Sequence, residues 1–135
     1  MKEPIWIRET DALQLHTQQI TLFGGSTGVR DLGLLQSALA RPQNLWAYAE
    51  SQPTLAQLAA SYAFGISANH PFLDGNKRAT LMVSFVFLDK NGFEVMATQE
   101  DAFLTIIRLA AGEISEEQLA TWFERNSAPR NQAAS

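Results

Sequence analysis

The chain has 135 residues, of which 46% are hydrophobic, enough for a single domain with a buried core. Its net charge of −4 argues against the basic surface that binds nucleic acid, so no direct nucleic-acid partner is expected. Cysteine is absent, which excludes disulfides and thiolate metal sites and fits a cytoplasmic protein. No stretch resembles a signal peptide or a membrane span, so no membrane association is expected.

Helical periodicity begins near the N-terminus. Thr10 is suited to cap a helix that runs to Phe23, with apolar side chains on one face. His16 lies on that face, and no carboxylate or second histidine stands at ligand spacing, so we interpret it as a core or edge histidine. The glycine-rich residues 24–28 lack the Gly-Lys-Ser/Thr ending of a phosphate loop and are predicted to form a turn.

A second helix is predicted from the cap residue Asp31 to Pro42, because proline lacks the N–H that a helix interior needs. Residues 43–53 do not follow a helical stripe, although they include Trp46 and Tyr48. We predict that they form a short flap. Its aromatic side chains either face a substrate or pack down on the core as part of a surface connection.

The middle of the chain contains two further helices. Residues 54–57 form a capping box that starts the third helix, and His70-Pro71 ends it, since the residue before a proline avoids helical backbone angles. Residues 79–88 are apolar nearly all round, and the whole segment 76–91 is followed by Gly92, which suits a helix C-cap. This pattern predicts a central helix that is buried on all sides.

Residues 93–96 are predicted to be briefly extended, and a fifth helix is predicted to stop at Gly112. A capping box at residues 115–118 starts a sixth helix. Residues 127–135 are small and polar, so we predict a flexible C-terminal tail and a domain that spans residues 1–126. The expected fold class is all-α, a bundle of about six helices around a buried central helix.

Most side chains with reaction chemistry lie around the start of the fourth helix. A helix N-terminus offers unpaired N–H groups and the positive end of its dipole, which together favour an anion such as phosphate. A solvated surface is the alternative for each charged residue alone, but not for all of them together. The residues predicted to bind phosphate are Gly75, Asn76, Lys77 and Arg78.

The same stretch offers groups for phosphoryl transfer. His70 is a candidate general base for an incoming hydroxyl, and Asp74 is a candidate ligand for a Mg²⁺ ion that bridges phosphates. Phe72 is predicted to anchor the loop in the core. The predicted catalytic residues are therefore His70, Asp74, Lys77 and Arg78.

Residues 70–78, with the sequence His-Pro-Phe-Leu-Asp-Gly-Asn-Lys-Arg, resemble the signature of the Fic/Doc family. The family pattern is His-x-Phe-x-Asp/Glu-Gly-Asn-Gly-Arg-x-x-Arg, and six of these nine positions match it. Residues 23–42 resemble the N-terminal half of the small death-on-curing toxins of this family. The resemblance thus covers nearly the whole chain and implies a Fic/Doc-type helical bundle.

Two positions depart from the pattern of the family members that transfer AMP. Lys77 stands in place of a glycine, and Leu81 stands in place of the second arginine, which holds the γ-phosphate in those members. Lysine at the first position marks the death-on-curing branch, whose members are protein kinases that act on a threonine of elongation factor Tu. The resemblance therefore implies a toxin that uses ATP and Mg²⁺ to phosphorylate a translation protein and arrest growth.

Two other functions remain open at this point. One is AMP transfer from the same loop, and the other is a catalytically weak module that serves mainly as antitoxin partner or co-repressor. Some family members carry an inhibitory Ser/Thr-x-x-x-Glu-Gly/Asn helix, and no segment of this chain matches that motif. We therefore expect a separate antitoxin whose disordered segment folds over the groove beside the loop.

Overall fold

The computed structural model describes residues 2–130, which form six α-helices and one two-stranded sheet. The expected all-α bundle is confirmed, with the small sheet as an addition. None of the helices in these residues is long and apolar enough to cross a membrane. The elements are α1 (Glu9–Phe23), α2 (Leu32–Tyr48), α3 (Leu55–Asn69), α4 (Asn76–Lys90), β1 (Phe93–Val95), α5 (Gln99–Ala110), α6 (Glu116–Asn126) and β2 (Ser127–Pro129).

Local capping explains where most helices begin. The side chains of Asp31, Thr54 and Ser115 each accept a hydrogen bond from the backbone N–H three residues later, as predicted. The first helix differs, because Thr10 lies inside its first turn. There the Asp11 carboxylate accepts the N–H of Arg8 at 2.9 Å, and Arg8 is the N-cap residue.

Helix α3, rather than α4, is the centre of the bundle. It packs against α2, α4, α5 and α6, and most of its side chains are buried. Small residues allow α2 and α3 to approach closely. A Cβ atom on Gly65 would lie only 3.2 Å from the Cα atom of Ala38 on α2, so a larger side chain would not fit there. The prediction that α4 is buried on all sides is wrong. Val83 and Phe87 are buried, whereas Leu81 and other apolar side chains of α4 are only half-buried.

Helix α2 continues through Pro42 for another six residues, to Tyr48. The predicted flap is therefore wrong at residues 43–48, and the connection to α3 is only residues 49–54. An internal proline costs a helix about 3 kcal/mol. Burial offsets this cost, because Pro42 is buried and Trp46 packs edge-on against Trp6 with ring centroids 6.3 Å apart.

The C-terminal end is more ordered than its composition predicts. Ser127–Pro129 pairs antiparallel with Phe93–Val95, and the Arg130 side chain donates to the Asp89 carboxylate. The prediction of a flexible tail is wrong for residues 127–129, which extend the domain beyond residue 126. Residues 131–135 of the predicted tail lie outside the described residues.

Tyr62 ties the N-terminal segment to the centre of the bundle. Its ring is fully buried on α3, and its hydroxyl accepts the N–H of Ile7 at 2.9 Å. Burial raises the pKa of Tyr62 to about 12, because the phenolate would be poorly solvated there.

We expect Tyr62→Phe to lower the free energy of unfolding by about 1–3 kcal/mol at neutral pH, because the Ile7 N–H is left unpaired. An unfolded tyrosine has a pKa of about 10. The stability that depends on neutral Tyr62 is therefore complete below pH 10 and is lost as the pH rises toward 12. Urea denaturation across this range should show a steeper decline for the parent protein than for Tyr62→Phe.

The matched control is Tyr48→Phe, because the Tyr48 side chain is 83% exposed. That variant should keep both the stability and the pH dependence of the parent. An unchanged alkaline decline in Tyr62→Phe would show that Tyr62 is not its source.

Candidate active site

The loop between α3 and α4, residues 70–75, is here called the motif loop. Two residues with left-handed backbone angles bound it: His70 (φ 48°, ψ 57°) caps the end of α3, and Gly75 (φ 75°, ψ 24°) begins α4. Histidine adopts this conformation more readily than most residues. Glycine is required at position 75, since a Cβ there would also lie 3.0 Å from Ile20. These two turns reverse the chain within six residues.

The Asn76 side chain closes the motif loop. Its Oδ1 atom accepts the N–H of Phe72 at 3.0 Å, and its Nδ2 atom donates to the Phe72 carbonyl at 3.0 Å. The Phe72 ring is buried beneath the loop, where sequence analysis placed it as an anchor. Because its amide is paired with Phe72, Asn76 offers an incoming anion mainly its backbone N–H.

The start of α4 is open to an anion. Helices α2, α3, α5 and α6 each begin with a side chain that caps a backbone N–H, but no side chain caps α4. The first helical hydrogen bond runs from the Ala79 N–H to the Gly75 carbonyl. In the described residues, the backbone N–H groups of Asn76, Lys77 and Arg78 therefore have no hydrogen-bond partner. These N–H groups lie at the positive end of the helix dipole, where an anion such as phosphate is favoured.

The two cations of the motif are held differently. The Arg78 guanidinium lies between two rings, 3.6 Å from the centroid of Phe23 on α1 and 4.7 Å from that of Phe103 on α5. Such contacts contribute about 0.5–1 kcal/mol each at exposed sites. Lys77 is exposed and forms no ion pair in the described residues. Arg78 is thus a fixed charge, and Lys77 is a mobile one.

A cleft of about 410 Å³ opens above the start of α4. All the residues predicted to act in catalysis or phosphate binding line it, whereas Phe72 does not. Helices α1 and α5 form its walls through Phe23 and Phe103. The complete lining is Gln19, Ile20, Phe23, Gly24, His70, Leu73, Asp74, Gly75, Asn76, Lys77, Arg78 and Phe103.

The Asp74 carboxylate is oriented by backbone N–H groups. Its Oδ1 atom accepts from Gly75 at 2.9 Å, and its Oδ2 atom accepts from Ser26 at 3.2 Å. Each carboxylate oxygen has a second lone pair for a metal ion. Magnesium bound with nucleotide commonly takes one or two carboxylates together with phosphate oxygens and water. The donor set at Asp74 therefore fits a magnesium ion that is bound with a phosphate ligand.

Sequence analysis missed the part played by residues 24–30. Residues 24–28, which were predicted to form a turn, are an irregular connection, and the segment continues into an isolated antiparallel β-bridge between Val29 and Phe72 in the motif loop. The Gly28 carbonyl accepts the N–H of Leu73, and the Arg30 N–H donates to the Pro71 carbonyl. The Arg30 guanidinium also donates to the carbonyls of Asn69 and His70, each at 2.7 Å. No local pattern points to these contacts, because the partners are about 40 residues apart in sequence.

His16 is buried, which confirms the prediction of a core or edge histidine. Its ring stacks on the Phe72 ring with centroids 3.8 Å apart and planes 6° from parallel. Its Nε2 atom lies 2.7 Å from the carbonyl oxygen of Asp74. Sequence analysis did not predict either contact with the motif loop.

The sequence model of the Fic/DOC family matches residues 6–88, which include α1 to α3, the motif loop and all but the last two residues of α4. This chain belongs to the Fic/DOC family. Its similarity to "Protein kinase doc" of Escherichia phage P1 is 34% identity over 119 residues, 88% of this chain and 93% of that protein. Its similarity to "Toxin Doc" of Mycolicibacterium smegmatis is 40% identity over 75 residues, 56% of this chain and 58% of that protein.

We expect Gly25→Ala to displace the Asp74 carboxylate of this Fic/DOC protein. A Cβ on Gly25 would lie 2.6 Å from Asp74 Oδ2, whereas a Cβ on Gly24 would meet nothing within 4 Å. Both glycines have positive φ, so each alanine should cost about 1–2 kcal/mol of stability. Only Gly25→Ala should also shift the amide NMR signal of Gly75, whose N–H donates to Asp74. Equal shifts in both variants would contradict this close approach.

Proposed function

We propose that this protein is a toxin and a protein kinase that transfers the γ-phosphate of ATP to a serine or threonine hydroxyl. The expected target is a translation protein, elongation factor Tu, whose modification arrests growth in the cytoplasm. One observation carries the proposal: a base, a carboxylate and two cations converge on an uncapped helix start in one cleft. The names of the relatives, "Protein kinase doc" and "Toxin Doc", support the same function.

Binding of the phosphates would depend on the start of α4. Its free backbone N–H groups are preorganised donors for phosphate oxygens, since the helix already fixes their directions. Arg78 adds a charge that Phe23 and Phe103 hold in place. Lys77 adds a charge that can follow the phosphate through the reaction. Phosphoryl transfer requires such positioning and charge stabilisation more than covalent chemistry from the protein.

His70 is proposed as the base that accepts the proton of the attacking hydroxyl. A bond forms between the substrate oxygen and the γ-phosphorus, the bond from the γ-phosphorus to the β,γ-bridging oxygen breaks, and ADP leaves. The contact between His70 Nδ1 and Asn76 Nδ2 is 3.5 Å, too long to fix the ring tautomer. Either ring nitrogen is therefore available to accept a proton.

Asp74 is proposed to hold Mg²⁺ through the carboxylate lone pairs that Ser26 and Gly75 leave free. The ion would supply charge neutralisation at the phosphates. The role of Asp74 itself is to present a carboxylate whose direction is already set by two backbone donors. This preorganisation lowers the cost of ordering the site when nucleotide binds.

Phosphate transfer is favoured over AMP transfer by two positions on α4. Lys77 places a side chain where a glycine would expose its amide to the ligand directly, so the two residues cannot seat the same phosphate in the same way. Leu81, one turn further along, has no charge for a second phosphate. We infer that Lys77 draws the terminal phosphate to the helix start and so exposes it to the hydroxyl beside His70.

A cognate antitoxin is proposed to restrain the enzyme. The helices that flank the cleft carry exposed apolar side chains, whose burial would stabilise a complex with a partner. A disordered antitoxin segment would fold against them and block the cleft, with ordering entropy offset by buried apolar surface. The exposed apolar side chains are Leu22 and Phe23 on α1 and Leu104 and Ile107 on α5.

The proposal is tested by incubating the protein with ATP and a cell lysate, then measuring the masses added to the modified proteins. We expect one phosphate on a serine or threonine. Replacement of the base by His70→Ala should lower the rate by about 10²–10⁴-fold. His70→Asn is the matched control for backbone strain, because asparagine also tolerates the left-handed angles of this position, and it should be equally inactive. Added AMP, or no added mass, would contradict the kinase proposal.

We expect Lys77→Gly to lower phosphate transfer by about 10–100-fold, the effect of losing one hydrogen bond from a charged group. The double variant Lys77→Gly with Leu81→Arg should transfer phosphate still more slowly and should gain AMP transfer. Half-buried Leu81 leaves room for an arginine head group to reach solvent. Lys90→Gly, at the other end of α4, controls for the helix cost of glycine; it also removes a 3.8 Å ion pair with Asp11, but neither residue lines the cleft, so the variant should keep the parent rate. The parent rate in folded Lys77→Gly would show that Lys77 does not set the reaction.

A further inference from the structure

One peptide group of the motif loop is held on both sides. The carbonyl oxygen of Asp74 lies 2.7 Å from His16 Nε2, and the N–H of the same peptide, which belongs to Gly75, donates to Asp74 Oδ1 at 2.9 Å. Hydrogen bonds thus connect a buried histidine on α1 to a carboxylate in the cleft. The connection spans 58 residues of sequence.

We propose that His16 is a positioning residue that orients the Asp74 carboxylate through the Asp74–Gly75 peptide. This inference rests on the proposed function, in which Asp74 holds the magnesium ion. His16 itself is not among the residues that line the cleft. It acts only through the peptide that it holds.

The chemistry of the contact fixes the role of His16. A carbonyl oxygen can only accept, so Nε2 must carry the proton that it donates. The parallel stack on Phe72 fixes the plane of the imidazole ring, and burial of His16 limits the access of water to its Nε2–H. Rotation of the peptide would break both hydrogen bonds at once. The carboxylate would then keep only its longer bond from the Ser26 N–H.

A purely structural histidine would differ in one testable respect. It would stabilise the fold through stacking and burial, and any well-packed replacement would leave the carboxylate where it is. A positioning histidine requires the donor. Partners of this kind, one bond removed from a metal ligand, typically change metal affinity or activity by about 10–100-fold when replaced.

Two replacements separate the ring from the donor. His16→Phe keeps an aromatic ring against Phe72 but removes the hydrogen-bond donor, whereas His16→Gln keeps a donor at a similar distance along the side chain. Thr21→Ala is the control on the same helix, because within residues 2–130 the Thr21 hydroxyl bonds only to the Thr17 carbonyl. Thermal unfolding establishes that each variant is folded.

The first measurement needs neither nucleotide nor metal. In the parent protein, ¹⁵N-labelled histidine should show a slowly exchanging Nε2–H for His16. The Gly75 amide proton should move upfield in His16→Phe, as its bond to the carboxylate is lost, and should stay near the parent position in His16→Gln and Thr21→Ala. An unchanged Gly75 signal in folded His16→Phe, or an Nδ1–H tautomer in the parent, would overturn the inference.

The second measurement is the Mg²⁺ concentration that gives half-maximal phosphate transfer. We expect it to rise about 10–100-fold in His16→Phe and to return toward the parent value in His16→Gln. An unchanged Mg²⁺ dependence in folded His16→Phe would overturn the inference. Absence of transfer by the parent protein would instead overturn the proposed function, and the Gly75 signal would then decide the inference alone.

Discussion

The site depends on a helix start that must stay uncapped while the loop before it stays rigid. A free N-terminus forfeits about 1 kcal/mol that a capping side chain would contribute. Nearby side chains instead form hydrogen bonds with the backbone of the motif loop and of the end of α3. Asn76 pairs with Phe72, and Arg30 holds the carbonyls of Asn69 and His70 from outside. The loop is thereby fixed, and the N–H groups of α4 remain available for a ligand.

The core supplies the frame that makes this arrangement possible. Small residues on α3 allow α2 to approach closely, as Ala38 beside Gly65 shows, so the end of α3 is held within a tightly packed bundle. The motif loop leaves that end and anchors itself through the buried Phe72 ring. Helix α1 then lies across the loop and contributes His16. The packed helices and the connecting residues 24–30 together thus determine where the motif loop and its functional side chains lie.

Charge is distributed in the cleft according to mobility. Arg78 is confined between Phe23 and Phe103, and Asp74 is confined by two backbone N–H groups. In the proposed reaction these two groups can be preorganised, because their positions would not need to change during transfer. Lys77 and His70 are exposed and bear on the moving phosphate and proton in the proposed reaction. This difference between the two cations follows from their chemistry. A planar guanidinium stacks well on aromatic rings, whereas a lysine ammonium is a point charge on a flexible side chain.

The sequence by itself determined the features that depend on neighbours along the chain. Helix starts at Asp31, Thr54 and Ser115 were predictable because a cap and its N–H partner are three residues apart. The motif was predictable because its residues are contiguous. Tertiary structure decided whether α2 ends at Pro42, which of two apolar helices is central, and how the chain after α6 pairs with β1. It also decided what His16 contacts. Each of these outcomes depends on partners tens of residues away, whose packing outweighs local preference and leaves no periodic signal in the sequence.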